Sequence, residues 1–100
     1  MKYLKLFDNY YTRLDILPDL DEVPFTKYER EKLSDLGFVQ YGFFDENVFV
    51  RRNRSDTYIY KIKDEWFYVQ RIQDGLSRRI YKCDQFDGVL HCLDEEFDIN

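Results

Sequence analysis

The sequence predicts a single α+β domain over residues 1–100: an antiparallel four- to five-stranded meander sheet, a C-terminal helix packed on one face, and a short helix near the N-terminus. Three observations lead there. Between Phe38 and Cys83, runs rich in Val, Ile, Tyr and Phe alternate with turn-forming Asp, Asn and Gly at intervals of about 8–12 residues, as antiparallel strands do. The stretch "TKYEREKLSDLGF" carries helix start and stop signals at fixed offsets. The closing stretch "DQFDGVLHCLDEEF" repeats its apolar residues at helical spacing.

Residues 1–25 read as an N-terminal arm and an acidic connector. Tyr3, Leu4, Leu6 and Phe7 anchor a short strand or arm. Pro18 and Pro24 then interrupt both helix and strand. An extended segment pinned by Leu14, Ile16, Leu17 and Leu20 is expected, with room for one short helical turn.

Residues 26–37 form the best-specified helix. Thr26 and Glu29 make a capping box, each satisfying an orphan amide of the first turn. Gly37 suits the left-handed closing residue, which lets Phe38 fold back on Leu33. Tyr28, Leu33 and Leu36 give only a thin apolar stripe, so this helix belongs on the surface.

Residues 38–83 hold the strands. "GFVQYGFF" and "NVFVRR" flank Asp45-Glu46, "TYIYKIK" and "WFYVQRI" flank Asp64-Glu65, and "RRIYK" follows Asp74-Gly75. The middle hairpin admits two registers. An even loop pairs Lys63 with Trp66 and Lys61 with Tyr68. A three-residue loop sets Ile62 opposite Trp66, Tyr60 opposite Tyr68, and Lys61 beside Phe67 on a face with Ile59 and Val69. The two exclude each other, because a one-residue slip carries a whole hydrophobic set across the sheet. Three-residue hairpins usually want Gly in a left-handed position, and none is present. The even register is therefore preferred. It puts Tyr58, Tyr60, Ile62, Phe67 and Val69 under the C-terminal helix, and Lys61, Lys63, Trp66, Tyr68 and Gln70 on the other face.

Residues 84–97 form that helix. Asp84 is positioned to cap it and Asp87 favours its positive end. Phe86, Val89, Leu90, Leu93 and Phe97 make the apolar stripe. Gly88 costs about 1 kcal/mol relative to Ala, which a close approach to the sheet would offset.

The net charge of −5 hides an uneven layout. Residues 48–82 carry 9 basic and 4 acidic side chains, whereas residues 83–100 carry 6 acidic and none basic. Acidic termini neutralising a basic sheet would explain this, and so would a basic patch that attracts an anionic ligand. Cys83 and Cys92, separated by a helical stretch, are expected ~13 Å apart, too far for a disulfide, and so free. No signal peptide is visible, since Lys5 and Asp8 interrupt the first apolar residues. No apolar run approaches the roughly 18 residues of a membrane span. A soluble, cytoplasmic protein with no membrane partner is expected.

Two groups of residues are candidates for binding. Bases stack on Trp66 and Tyr68 while the ammonium groups of Lys61 and Lys63 meet phosphate, or the same rings are covered by the N-terminal arm with lysine stems packed over them. "RRNRSD" places Arg51, Arg52 and Arg54 at a strand end. With Arg71, Arg78 and Arg79 they form one patch if strand order allows, or they pair with the protein's own acidic ends. "DILPDLDE" and "LDEEFD" read as solvated faces, or as carboxylates offered to a basic groove of a partner. There is no Gly-rich phosphate loop, G-x-S-x-G or H-E-x-x-H, no zinc-like cysteine spacing, and one surface histidine, His91. No enzyme activity, cofactor or metal is expected.

The opening "MKYLKLFDNY" and the closing "DEWFYVQ" and "YKCDQFDGVLHCL" resemble small uncharacterised proteins of large tailed bacteriophages. In those a lysine-and-aromatic start precedes a helix ending in Leu-Gly-Phe, a strand pair, and a C-terminal helix opened by "CDQ". The resemblance implies no activity. It does imply a viral accessory protein working in a host bacterial cytoplasm. The expected function is a non-catalytic accessory protein that binds a host protein and modulates or inhibits it. The alternatives are a binder of nucleotides or single-stranded nucleic acid, including a nucleotide-signal sponge, and a virion or assembly component. A homodimer would cover a sheet with rings on both faces.

Overall fold

A helix of nine residues, α1 (Lys27–Asp35), is set by its caps in the computed structural model of the chain. Thr26 Oγ1 accepts from the Glu29 amide at 3.2 Å and Glu29 Oε1 accepts from the Thr26 amide at 2.8 Å, completing the capping box. At the other end the Gly37 amide donates to Ser34 and the Phe38 amide to Leu33, with Gly37 at φ +90. That left-handed turn drops Phe38 and Leu33 into the core together. Most other side chains of α1 stay exposed, as its thin apolar stripe requires.

The structure describes residues 11–18, 21–42, 45–53, 55–63 and 66–100. Six strands form one antiparallel sheet: β1 (Tyr11–Leu14), β2 (Val39–Gly42), β3 (Asp45–Arg52), β4 (Asp56–Ile62), β5 (Trp66–Gln73) and β6 (Leu76–Cys83), in the order β1-β6-β5-β4-β3-β2. A second helix, α2 (Phe86–Phe97), packs on one face. The fold is α+β, as the sequence predicts, with the five expected meander strands consecutive. The sixth comes from the presumed connector: Tyr11–Leu14 pairs along β6, Tyr11 opposite Cys83. Leu14 and Leu17 are half-buried there, but Ile16 is 78% exposed and anchors nothing. The anchors expected at Tyr3, Leu4, Leu6, Phe7 and Leu20 lie outside the described residues. Further on, Glu22 forms a single bridge to Ile62, flanked by Val23 amide to Lys61 carbonyl at 2.8 Å and Lys63 amide to Asp21 carbonyl at 2.9 Å.

The β4–β5 register corrects the preferred expectation. Ile62 pairs with Trp66, Lys61 with Phe67, Tyr60 with Tyr68 and Ile59 with Val69, so three residues separate the strands. Lys61 therefore shares the helix-covered face, where Ile59, Phe67, Val69, Phe49, Tyr81 and Cys83 meet α2. Tyr58, Tyr60 and Ile62 take the opposite face with Trp66 and Tyr68. Asp64 and Glu65, the expected tip, are outside the described residues. Glu29 Oε1, already bonded to the Thr26 amide, also accepts from Lys61 Nζ at 2.9 Å. This pair is nearly dry, with side chains 5% and 12% exposed.

The β5–β6 hairpin closes on Asp74-Gly75, both at positive φ, the two-residue turn that matches strand twist. A register shift between Arg71 and Ile72 follows. Continued from Gln73↔Leu76, regular pairing would set Arg71 opposite Arg78; the bulge sets it opposite Arg79 instead.

Helix α2 begins two residues later than expected, with Gln85 at its N-cap and no side-chain cap bond; Asp84 instead lies 3.9 Å from Lys82. The bend at 84–85 turns the chain back over the sheet. Phe86, Val89, Leu93 and Phe97 are buried as predicted, and Gly88 and Cys92 with them. The apolar stripe alone would put Cys92 on the outer side of α2, and helical spacing would put it ~13 Å from Cys83. Both thiols are free and fully buried, as expected of their redox state, but the fold-back brings them into contact. A hydrogen bond to Cys83 and burial both raise the Cys92 pKa. Among the described residues no helix is long and apolar enough to cross a membrane.

Two outcomes follow from this packing. Lys61→Met should destabilise the fold by about 3–5 kcal/mol in urea unfolding, the range for removing one member of a buried ion pair. Lys61→Met with Glu29→Gln should recover part of that loss, since Gln keeps the cap acceptor without the charge; a double variant no more stable than the single would refute the pair's role. Neither thiol should react with a disulfide reagent at mildly alkaline pH until denaturant is added. Rapid labelling of native protein would contradict the buried contact.

Candidate functional site

Four residues lie side by side across the middle of the sheet. Arg51 of β3 pairs with Thr57 of β4, Thr57 with Arg71 of β5, and Arg71 with Arg79 of β6. Directly paired residues share a face, here the one under α2. Strand spacing sets Arg51 and Arg71 about 10 Å apart at their Cα atoms, with Thr57 between them. Beyond the end of the apolar core this row borders a cleft of about 500 Å³, lined by Arg51, Asn53, Ser55, Thr57, Arg71 and, from the end of α2, Phe97, Asp98 and Ile99.

Each arginine is held differently. Arg79 Nη1 donates to the Glu96 carbonyl at 2.8 Å and lies 3.9 Å from the Glu96 carboxylate, which latches the end of α2 to the sheet. The Tyr81 hydroxyl donates to the same carboxylate at 3.0 Å, and the Tyr11 hydroxyl to Glu95 at 2.7 Å and Glu96 at 3.0 Å. Arg51 lies along the closing turn of α1, where a Cβ on Gly37 would come within 3.2 Å of its Nε. Arg71 lays its guanidinium over the Phe97 ring, 4.6 Å from the centroid. Its Nε is shielded from water and has no hydrogen-bond partner among the described residues. Burial lowers its pKa from the usual arginine value, with Arg79 and Arg51 adding to the effect. A guanidinium nevertheless stays charged in proteins. Arg71 is thus a partly buried cation beside like charges, with an unused donor.

Such a row suits an anion. Guanidinium forks match carboxylate or phosphate oxygens, and the hydroxyls and amide of Thr57, Ser55 and Asn53 add neutral donors. Among the described residues no cluster of His, Cys, Asp and Glu could hold a metal ion.

Of the predicted site residues, Arg51 belongs to the cleft. Arg52 alternates to the other face, pairing with Asp56 at 3.8 Å and lying 5.8 Å from the Tyr41 ring. Arg54 lies outside the described residues. The expected surface of Lys61, Lys63, Trp66 and Tyr68 does not form. Lys61 is buried on the helix side, Lys63 is exposed in the turn, and Tyr68 is only 7% exposed. The cation over Trp66 is Lys82, at 4.1 Å, reached from β6. Arg71 and Arg79 were foreseen only as members of a wider arginine patch. Asn53, Ser55 and the Phe97–Ile99 tail carry no local signal and become neighbours through the fold alone.

A second feature lies on the opposite face, at β2, the last strand of the sheet among the described residues. Tyr41 packs 5.8 Å from Tyr58, which stacks on Tyr60 at 6.3 Å. Tyr60 donates to Gln70 at 2.8 Å, and burial pushes its pKa up to about 12. Val39 and Tyr41 remain 59% and 50% exposed.

Arg71→Met tests whether the cleft is a functional liability. Met keeps contact with the Phe97 ring and removes a poorly satisfied charge, so unfolding free energy should hold or rise by about 1 kcal/mol. A loss of more than about 2 kcal/mol would mark Arg71 as structural.

Comparison with family models, curated proteins and solved structures gives no match for this chain, so what the cleft binds is inferred from its own geometry.

Proposed function

We propose that the protein is a non-catalytic binding protein that captures a small anionic ligand in the arginine cleft and so withholds it from other proteins. The observation that carries this is Arg71: a shielded guanidinium nitrogen without a partner among the described residues, set in a row between Arg51 and Arg79. A charge kept where it costs stability points to binding rather than folding. Support for a non-catalytic role comes from the lining, which holds neither histidine nor cysteine, while both thiols are sealed in the core. In the host cytoplasm that the phage resemblance implies, the natural role is a sponge for a nucleotide-type signal.

A second reading, a host-protein partner, is favoured by the tyrosine cluster at β2. Tyrosine and arginine dominate interface hot spots, and Tyr41, beside Arg52, and Val39 are half or more exposed. Tyr41→Ala with Tyr58→Ala should abolish co-purification of that partner from expressing cells, while Arg71→Met leaves it intact.

Thermal and calorimetric titration decides the leading proposal. An anion at a hundred times its Kd should stabilise the fold by about 2.7 kcal/mol, at constant ionic strength. Arg71→Met should lose that response. If phosphate, sulfate, nucleotides and dicarboxylates all leave the melting temperature unchanged, the proposal is wrong.

A further inference from the structure

We infer that the cleft takes a terminal phosphate group, a phosphate monoester carried by a small molecule, and not the phosphodiester backbone of a nucleic acid. This rests on the anion-binding proposal above and narrows it to one chemical class.

Charge is the first reason. Arg51 and Arg71 line the cleft, and no ion pair to either is found among the described residues, whereas Arg79 is engaged by Glu96. Two guanidiniums match a terminal phosphate, which carries between about −1.5 and −2 at neutral pH and offers three acceptor oxygens. A diester brings a single negative charge and leaves one arginine uncompensated. Shape is the second reason. Asp98 lines the same cleft on the side of the α2 tail. A polyanion threaded past the arginines meets that carboxylate, whereas a terminal group enters from solvent and stops at the row. The third reason concerns the organic part of the ligand. Phe97 presents the nearest ring, but Arg71 already occupies its face at 4.6 Å. A base has no free ring there to stack on, so recognition falls on the phosphate, and about 500 Å³ accommodates a sugar or nucleoside without reading it closely.

The ligand's own titration provides the test. A monoester gains its second charge with a pKa near 6, so its dianion fraction rises about tenfold between roughly pH 5 and 7. A diester has no ionisation in that window. The charged groups lining the cleft are Arg51, Arg71 and Asp98, and beside Arg71 stand Arg79, Tyr81 and Glu96, bonded to one another. Sulfate keeps its charge throughout and reports any titration of the protein itself.

The experiment is calorimetry on the full chain with a nucleoside 5′-monophosphate, a sugar phosphate, a 3′,5′-cyclic nucleotide, an oligonucleotide without terminal phosphate, and sulfate. The two monoesters separate a nucleotide source from a sugar-phosphate source. Both should bind, with affinity rising about tenfold over that pH window relative to sulfate. The cyclic diester and the oligonucleotide should bind at least ten times more weakly. Arg71→Met and, as a second variant, Arg51→Gln should each weaken monoester binding at least tenfold. If a diester binds as tightly as the monoesters, or monoester affinity is flat against sulfate, the monoester inference fails while the anion-binding proposal stands. If no anion binds at all, both fall.

Discussion

The register of β4 against β5 is the constraint on which the rest of the molecule depends. With Ile62 opposite Trp66, the residues Thr57, Ile59, Lys61, Phe67, Val69 and Arg71 all face the helices. A slip of one residue would replace Thr57, Ile59 and Lys61 on that face with Tyr58, Tyr60 and Ile62. The core would then take in tyrosine hydroxyls needing partners, and Thr57 would leave the row that joins Arg51 to Arg71. Core and cleft are therefore two ends of one face. The apolar end is closed by α2 and by Phe25, Leu33 and Phe38; the cationic end is left to the short tail beyond Phe97.

Two cations on that face, Lys61 buried and Arg71 half-buried, have opposite meanings. Lys61 meets Glu29, whose carboxylate is itself held by the first turn of α1, so the charge, its counter-charge and the helix cap satisfy one another. That arrangement fixes where α1 sits and is structural. Arg71 has a ring beneath it, like charges beside it and an unused donor. Burying a charge without a counter-charge is costly, and replacing it with an apolar side chain is often neutral or better for stability. A fold selected only for stability has no reason to keep it. The two differ in satisfaction as well as depth, and satisfaction separates a framework cation from a binding one.

Local signals were legible in the sequence where one side chain acts on its own neighbourhood. Thr26, Glu29 and Gly37 specify α1, Asp74-Gly75 specifies a turn, and Phe86, Val89, Leu93 and Phe97 specify the buried side of α2. The β4–β5 register was not, because both candidate faces are rich in rings and no glycine marks a three-residue loop. Alternation cannot choose a side when both sides are apolar. Cys92 was misplaced for a related reason. The apolar stripe alone puts it roughly 115° off centre, but Gly88 and Cys92, four apart, are small enough to turn that flank of α2 onto the sheet. The arginine row could not be read either, since it needs strand order and a bulge that no local sequence word encodes.

That bulge, between Arg71 and Ile72, belongs to a pattern. It is one of three departures from regular structure that meet at the cleft. The second is Asp98, which ends α2 in the left-handed region at φ 57 and lines the cleft without being glycine. The third is the unpartnered nitrogen of Arg71. Elsewhere Gly37 closes α1 and Asp74 with Gly75 turns the β5–β6 hairpin. A second register shift lies between Gln40 and Gly42, and Trp66 Nε1 is also buried without a partner among the described residues. At the cleft Asp98 likewise closes α2, which leaves the bulge and the unpartnered nitrogen of Arg71 without a folding account. The bulge adds nothing to the core, and the arginine it aligns works against the core's stability. Departures that stability does not explain tend to collect where a protein does its work. Here the bulge sets Arg71 in line with Arg51 and Arg79 on the face that carries the cleft.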